Sequence, residues 1–186
     1  MKELSLNILD VAQNSVKAKA TVITVELIEE GNELTFRITD DGVGMTPEFL
    51  ANVLDPFTTT RTTRRVGLGL PLLKMAAEAT GGYITVTSRD AAHHEDHGTV
   101  VTAVFRTDHI DCPPLGDIAS TMVMLIQNAP FAPRYIYRRS VDGNGFVLDT
   151  DELHASLGED VPLSEPEVLA FVGDYIREGE EEIENK

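Results

Sequence analysis

The sequence predicts an α+β fold, a two-layer α/β sandwich followed by a small α/β C-terminal extension. Hydrophobic periodicity over residues 4–106 gives the order helix, strand, strand, helix, loop, helix, strand, strand. Helices that alternate with antiparallel strand pairs favour a layer of helices on one face of a sheet. After Pro113 and Pro114 the pattern changes to an apolar helix, a hairpin and two acidic helices. We therefore predict a first domain over 1–108 and an acidic extension over 109–186.

The composition of the chain limits its partners and its compartment. The 186 residues include 31 acidic and 15 basic ones, for a formal net charge of −16. Residues 141–186 hold 14 of the acids and two basic residues, a net charge of −12. This excess disfavours nucleic acid and anionic membranes as partners. The single cysteine, Cys112, excludes an internal disulfide, and there is no apolar run of transmembrane length. We expect a cytoplasmic protein.

Residues 4–18 have the pattern of an amphipathic helix. Apolar residues gather on one side, and Asp10, Asn14 and Lys17 gather on the other at spacings of three and four. Such a stripe is usually a solvated face. It is also the pattern of a ligand-facing surface, in which Asn14 offers an oxygen to Mg²⁺, Asp10 positions a water and Lys17 meets a phosphate.

Residues 20–40 predict a β-hairpin that ends in a glycine-containing turn. Alternating apolar and polar residues mark both strands, and the second strand ends at Asp40, which is followed by Gly42 and Gly44. A carboxylate at a strand end can accept hydrogen bonds from an amine, and a glycine lets a flat ligand approach the backbone. The alternative is an ordinary tight turn between a strand and the short helix predicted over 47–54.

Residues 55–70 are unlike either a core or a helix. They contain five threonines and three arginines before they end in the sequence Gly-Leu-Gly-Leu at 67–70. We predict a mobile, donor-rich loop, followed by a helix from about 70 to 80 that is apolar nearly all round and therefore buried. A glycine-rich turn at a helix N-terminus suits an anionic phosphate, although a packing role for these glycines is the alternative.

The remaining elements are predicted from alternation and turn residues. A hairpin covers 83–106, and its polar connection contains His93, His94 and His97, for which a solvated loop is preferred over a zinc site because no cysteine accompanies them. The elements predicted for the extension are a helix over 115–129, strands over 134–141 and 145–148, helices over 150–157 and 165–178, and a frayed tail from 180 onward.

Taken in order, these stretches resemble the ATP-binding domain shared by DNA gyrase, MutL, the ninety-kilodalton heat-shock chaperone and sensor histidine kinases, the GHKL superfamily with its Bergerat-type fold. The resemblance is carried by the ordered set of motifs and covers roughly residues 4–106. The motifs are 10–15, 40–44, 55–61 and 67–70, with Gly81, Gly82, Ser88, Gly98 and Thr99 resembling the closing hairpin.

The resemblance implies ATP and Mg²⁺ as cofactors. Asp40 would accept the adenine amino group, Asn14 would ligate the metal ion, and residues 57–66 would form a lid over the nucleotide. The backbone of 67–69 would hold the phosphates together with Lys17 and Arg61. The residues that the resemblance assigns to nucleotide binding are Asn14, Lys17, Asp40, Gly42, Gly44, Met45, Phe57, Thr59, Arg61, Gly67, Leu68, Gly69, Leu70 and Thr99.

Asp10 stands where the hydrolytic members of the superfamily usually have glutamate, so the resemblance makes it the candidate catalytic residue. Aspartate is one methylene shorter, which withdraws the carboxylate by about 1.5 Å. Because general-base catalysis depends on hydrogen-bond reach, we expect slow hydrolysis.

Three functions are compatible with the sequence. The lid segment is most similar to that of histidine kinases, and with no phosphoacceptor hairpin ahead of residue 4 the substrate would be a partner protein that is phosphorylated in trans. The second function is a nucleotide-dependent binding switch. The third is a slow ATPase of the gyrase or MutL kind, which needs a downstream lysine, whereas only Lys186 follows Lys74 here. We rank the kinase-like module first, the switch second and the ATPase third.

Overall fold

The computed structural model describes residues 3–56, 69–129, 132–158 and 160–184. They form six helices and six strands. In chain order these are α1 (Leu4–Lys17), β1 (Val22–Glu30), β2 (Glu33–Asp40), α2 (Pro47–Asn52), α3 (Gly69–Ala79), β3 (Tyr83–Arg89), β4 (Gly98–Arg106), α4 (Ile118–Asn128), β5 (Arg134–Val141), β6 (Asn144–Asp149), α5 (Thr150–Leu157) and α6 (Pro166–Glu184).

All the strands join in one six-stranded sheet with the order β3-β4-β2-β1-β5-β6. The pairs β1–β2, β2–β4, β3–β4 and β5–β6 are antiparallel, whereas β5 runs parallel to β1. The hairpin of the extension therefore continues the sheet that the first domain begins. The division at residue 108 stays a prediction.

The helices cover one face of this sheet, which confirms the predicted two-layer α+β sandwich. α1 contacts α3 on one side and α4 on the other, and α4 contacts α6. The alternating residues of β1 that point into this layer, Ile23, Val25 and Leu27, are fully buried. On the opposite face Glu26 lies 3.7 Å from the guanidinium groups of both Arg37 and Arg138.

The C-terminal extension supplies hydrogen-bond acceptors for the first turn of α1. Within the described residues Glu3 supplies no side-chain cap, so the free N–H groups of the first turn need other acceptors. The N–H of Leu4 donates to the carbonyl of Pro114 at 3.0 Å, and that of Ser5 donates to the carbonyl of Leu115 at 2.8 Å. The connection to α4 thus holds the helix that carries Asp10 and Asn14.

A buried arginine links β5 to β1 and to α6. The Arg139 side chain is only 3% exposed and lies 3.0 Å from Glu29 and 3.1 Å from Glu180. The hydroxyl of Tyr137 donates to Glu180 at 2.6 Å, and burial, reinforced by the Glu180 charge, raises the pKa of Tyr137 well above its usual value. A charge removed from water needs such partners, so these contacts fasten α6 to the sheet.

The prediction that the acidic tail frays from residue 180 is wrong. α6 runs for 19 residues to Glu184, because Glu180 receives the bonds from Tyr137 and Arg139 and Ile183 is buried to 8% exposure. Neither this helix nor any other in the described ranges is long and apolar enough to cross a bilayer.

The expectation that α3 is buried all round is also wrong. Leu70, Leu73 and Ala77 face the sheet and are buried, but Leu72 is 40% exposed and Met75 is 64% exposed. The helix contacts β3, β4 and α1, so it lies at the outer end of the helical layer and only part of its circumference has neighbours to cover it.

Candidate functional site

α1 presents the predicted polar stripe on its outer side. Leu4, Ile8 and Ala12 are fully buried against the sheet, and this orientation leaves Asp10 and Asn14, one turn apart, exposed to solvent. The amphipathic pattern therefore fixes which way the two polar side chains face.

Asp10 lies beside the start of α3. A Cβ atom added to Gly69 would stand 3.5 Å from the Cβ of Asp10 and 3.7 Å from its Oδ2. The first turn of a helix has N–H groups without intrahelical partners and carries the positive end of the helix dipole. The carboxylate of Asp10 therefore faces a region that attracts anions. Leu70, which is also predicted to belong to the site, points into the core.

Asp40 is hydrogen-bonded to α1 at Ser15, five residues after Asp10. The hydroxyl of Ser15 donates to Asp40 Oδ2 at 2.5 Å, and the N–H of Gly42 donates to Oδ1 at 2.9 Å. Asp40 ends β2 opposite Thr99 of β4, which is 7% exposed. Each carboxylate oxygen has a further lone pair, so Asp40 can still accept a hydrogen bond from a ligand.

The neighbouring carboxylate, Asp41, has a structural role. It accepts from the backbone N–H of Thr21 at 2.7 Å, from that of Val22 at 2.9 Å, and from the Thr21 hydroxyl. Burial would raise the pKa of Asp41, but these hydrogen bonds outweigh it and hold the pKa below its usual value. Asp41 therefore ties the turn to the start of β1, and Asp40 remains the candidate for ligand contact.

The glycines after Asp40 are required by the protein's own backbone. A Cβ atom on Gly42 would stand 2.9 Å from the Cβ and carbonyl oxygen of Ala18 at the end of α1. Gly44 has φ +67°, and a Cβ there would stand 1.9 Å from the carbonyl oxygen of Arg89. Close approach does explain these residues, as the sequence suggested, but the approaching group is neighbouring backbone. Their contact with a ligand stays a prediction.

Ser88 and His97, from the β3–β4 hairpin, also contact the turn after β2. The Ser88 hydroxyl accepts from the N–H of Met45 at 2.9 Å, donates to the carbonyl of Gly98 at 2.8 Å and lies 2.9 Å from Thr99 Oγ1. His97 Nδ1 lies 2.6 Å from the carbonyl oxygen of Gly42, a contact that requires the proton on Nδ1.

The other predicted site residues are more distant or not described. Lys17 lines a groove of about 160 Å³ with Leu125 and Tyr135, so it lies toward α4. No group of three or more His, Cys, Asp or Glu within the described ranges is arranged to hold a metal ion. The predicted lid, residues 57–66, lies outside the described residues, and so do five of the predicted site residues: Phe57, Thr59, Arg61, Gly67 and Leu68.

Sequence reasoning missed Ser15 and His97. Ser15 is only 3% exposed, and a serine on the apolar side of an amphipathic helix signals a buried hydroxyl that needs a partner. The sequence therefore indicates that Ser15 needs a hydrogen-bond partner. It does not indicate which residue that partner is, because Asp40 is 25 residues away. His97 could not be distinguished from His93, which lies 2.6 Å from Asp90 in the same connection.

Comparison with known proteins identifies the family. Residues 2–109 match the family described as histidine kinase-, DNA gyrase B-, and HSP90-like ATPase. Since this match covers more than half of the chain, the protein belongs to that family of ATP-binding domains, and the resemblance found in the sequence is confirmed.

The curated relatives include a sensor protein and two histidine kinases. The chain is 31% identical over 94 residues to sensor protein KdpD of Clostridium acetobutylicum, which covers 48% of this chain and 10% of that protein. It is 33% identical over 92 residues to an uncharacterized sensor-like histidine kinase of Rhizobium meliloti, covering 47% and 17%. It is 29% identical over 118 residues to the cell-division control histidine kinase PdhS of Brucella anthropi, covering 56% and 11%. The chain thus spans less than a fifth of these relatives.

Two solved structures match the fold of this chain over a longer stretch than the curated relatives do. The N-terminal domain of a DNA repair protein superposes with a TM-score of 0.57 at 15% identity, covering 80% of this chain and 53% of that one. The Aquifex aeolicus MutL ATPase domain complexed with ADP gives 0.50 at 16% identity, covering 76% and 60%. At such identities the likeness concerns the fold alone.

Replacing Gly44 tests the close approach of the turn to β3. Gly44→Ala meets both a positive φ and the Arg89 carbonyl, whereas Gly143→Ala meets a φ of +83° with no atom within 4 Å. Both variants carry the strain of a left-handed residue, about 1–2 kcal/mol. We expect urea unfolding to show a further loss of about 1–3 kcal/mol for Gly44→Ala. Equal losses would contradict the described approach.

Proposed function

We propose that the protein binds Mg-ATP between α1, the turn after β2 and the start of α3, and that it transfers the γ-phosphoryl group to a partner protein. The observation that carries the proposal is the double contact of α1: Ser15 bonds Asp40, and Asp10 lies beside Gly69. Along the helix axis these positions are about 7.5 Å apart. An elongated ligand with an amine at one end and phosphates at the other matches this arrangement.

The adenine end would be recognised by Asp40. Its carboxylate is fixed by Ser15 and Gly42 and keeps lone pairs free for the adenine amino group. Gly44, Met45 and Thr99 would surround the ring, since the Ser88 hydroxyl lies within hydrogen-bond distance of both the Met45 N–H and Thr99 Oγ1. These contacts make the turn rigid before any ligand arrives, which lowers the entropic cost of binding.

The phosphate end would be held by Gly67, Leu68 and Gly69, with Arg61 supplying charge, whereas Lys17 lies toward α4 and is not part of this proposal. Asn14 fits a magnesium site, because its amide oxygen is a hard donor, it is exposed, and it stands one turn from Asp10 on the same face. When bound, the metal ion would neutralise charge on the phosphates. The positive end of α3 supports anion binding at the same place.

Asp10 would act on the attacking group. In the transfer, the bond from the γ-phosphorus to the bridging oxygen of ADP breaks and a bond to the partner's nucleophile forms. If the nucleophile is a hydroxyl, Asp10 would accept its proton. The kinase assignment is supported by the two curated relatives that are named histidine kinases. The short reach of aspartate toward water favours transfer over hydrolysis.

A nucleotide-dependent switch is the second candidate function. It is favoured by the hydrogen bonds from the first turn of α1 to the carbonyls of Pro114 and Leu115. Through them, any movement of α1 on nucleotide binding would act directly on the extension. A switch needs ATP affinity but no transfer, so the two candidates differ in the reaction alone.

Asp40→Asn tests the binding site. The amide keeps the shape but replaces an acceptor oxygen and removes the charge, so we expect ATP affinity to fall by about 1.5–3 kcal/mol in calorimetry. Asp111→Asn, which removes an exposed carboxylate from the β4–α4 connection, should leave affinity unchanged. Unaltered ATP binding by Asp40→Asn would overturn the assignment of this residue.

Asp10→Asn tests the reaction. It removes the base and keeps the size, so ATP affinity should survive while transfer of labelled γ-phosphate to protein from the same cell disappears. The parent should hydrolyse ATP well below the enzyme median of about 10 s⁻¹. Rapid hydrolysis by the isolated parent would favour the ATPase instead, and binding with neither reaction would favour the switch.

A further inference from the structure

The outer side of the helical layer contains a groove between α4 and α6, away from the nucleotide site. Its volume is about 340 Å³. Val123, Met124 and Gln127 line it from α4, and Leu169, Gly173 and Arg177 line it from α6. At its floor lies the buried Gly173, where an added Cβ atom would stand 3.2 Å from the Arg177 guanidinium and 3.5 Å from Val123. The groove is therefore a depression between two well-packed helices.

The α4 side of this groove is unusual for an exposed helix. Ile118–Asn128 contains no charged residue, although a surface helix normally carries charge on its solvent face. Met124 is 45% exposed on that face. The exposed side chains of α4 are Ser120, Met124, Gln127 and Asn128. Its solvent face is therefore uncharged and carries one large apolar side chain, a flexible methionine of the kind used at adaptable binding surfaces.

The α6 side is acidic. Glu167, Asp174, Glu178 and Glu181 are all exposed, and their spacings of seven, four and three place them on one ridge beside the groove. Arg177 lies in the groove itself, where its guanidinium would stand 3.2 Å from a Cβ atom added to Gly173, and it is paired with Asp174 at 2.8 Å. The groove is therefore bordered by a negatively charged ridge on α6 and by the uncharged helix Ile118–Asn128.

This distribution of charge decides between possible occupants. A second copy of the chain would bring an identical acidic ridge toward this one, since twofold contacts use the same patch on both partners. Residues 141–186 carry 14 acids against two basic residues, so like charges oppose that contact, and they oppose nucleic acid and anionic lipid in the same way. A cationic partner is favoured.

We propose that the α4–α6 groove binds an amphipathic helix of a partner protein whose apolar stripe is flanked on one side by lysine or arginine. The apolar stripe would cover Met124 and Leu169, and the basic flank would lie against Glu167 and Asp174. Helices bind grooves in this way through apolar residues spaced three and four apart. The basic flank sets the orientation, because reversing the helix would turn it away from the acidic ridge.

The test uses the intact chain labelled with ¹³C at its methionine methyl groups. Of the five methionines, Met124 lines the groove and Met75, 64% exposed on α3, reports on the remote surface. The probe is a helical peptide with leucines on one stripe and lysines beside it, and the matched peptide has glutamate in place of lysine. We expect the lysine peptide to shift the Met124 resonance and leave Met75 unchanged, and the glutamate peptide to shift neither.

Two variants locate the site. Met124→Lys should weaken peptide binding at least tenfold, because it puts a like charge into the groove. Glu167→Lys with Glu178→Lys should do the same without altering the apolar stripe, whereas Glu33→Lys with Glu48→Lys makes the same change in net charge elsewhere and should have little effect. A melting curve for each variant confirms that it is folded.

Three outcomes would overturn the proposal. The first is an equal shift of Met124 by both peptides, and the second is an equal loss of binding in both double variants, which would indicate attraction to net charge alone. The third is a dimer in sedimentation that Met124→Lys dissociates, since a second copy would then be the occupant.

Discussion

The hydrogen bond between Ser15 and Asp40 connects the two halves of the candidate site. At 2.5 Å it joins α1 to the end of β2, and because Ser15 is buried the contact is shielded from competing water. With this contact made, the polar face of α1 has one orientation, and Asp10 and Asn14 must lie on the side where α3 begins. The proposed adenine and phosphate ends therefore depend on each other through a single helix.

The C-terminal extension packs together with the elements that carry the candidate site. It adds β5 to the strand that precedes the site, caps the first turn of α1 with the carbonyls of Pro114 and Leu115, and is itself fastened through Arg139. The proposed nucleotide site and the α4–α6 groove consequently lie on one continuous helical layer. A partner on the groove would be separated from α1 only by α4, which contacts both α1 and α6.

Local patterns in the sequence predict what depends on local chemistry. The alternation in 34–39 predicts β2, and the spacing of Asp10 and Asn14 predicts their common face. Contacts between distant segments leave no such signal. The parallel pairing of β5 with β1 spans more than a hundred residues, and the end of α6 depends on Arg139. The sequence places Gly42 and Gly44 in the turn after β2 and predicts that a ligand approaches them. In the structure the approaching groups are Ala18 at the end of α1 and Arg89 of β3.

We infer that Asp40 makes this site specific for adenine, and parallel calorimetric titrations of the protein with Mg-ATP and Mg-GTP measure that specificity. Adenine presents an amino group to the carboxylate, whereas guanine presents a carbonyl oxygen at the corresponding position. A site built to accept a hydrogen bond rejects a ligand that cannot donate one. We expect Mg-ATP to bind with one-to-one stoichiometry and at least tenfold more tightly than Mg-GTP, a difference of about 1.4 kcal/mol or more. Equal affinities for the two nucleotides would contradict it.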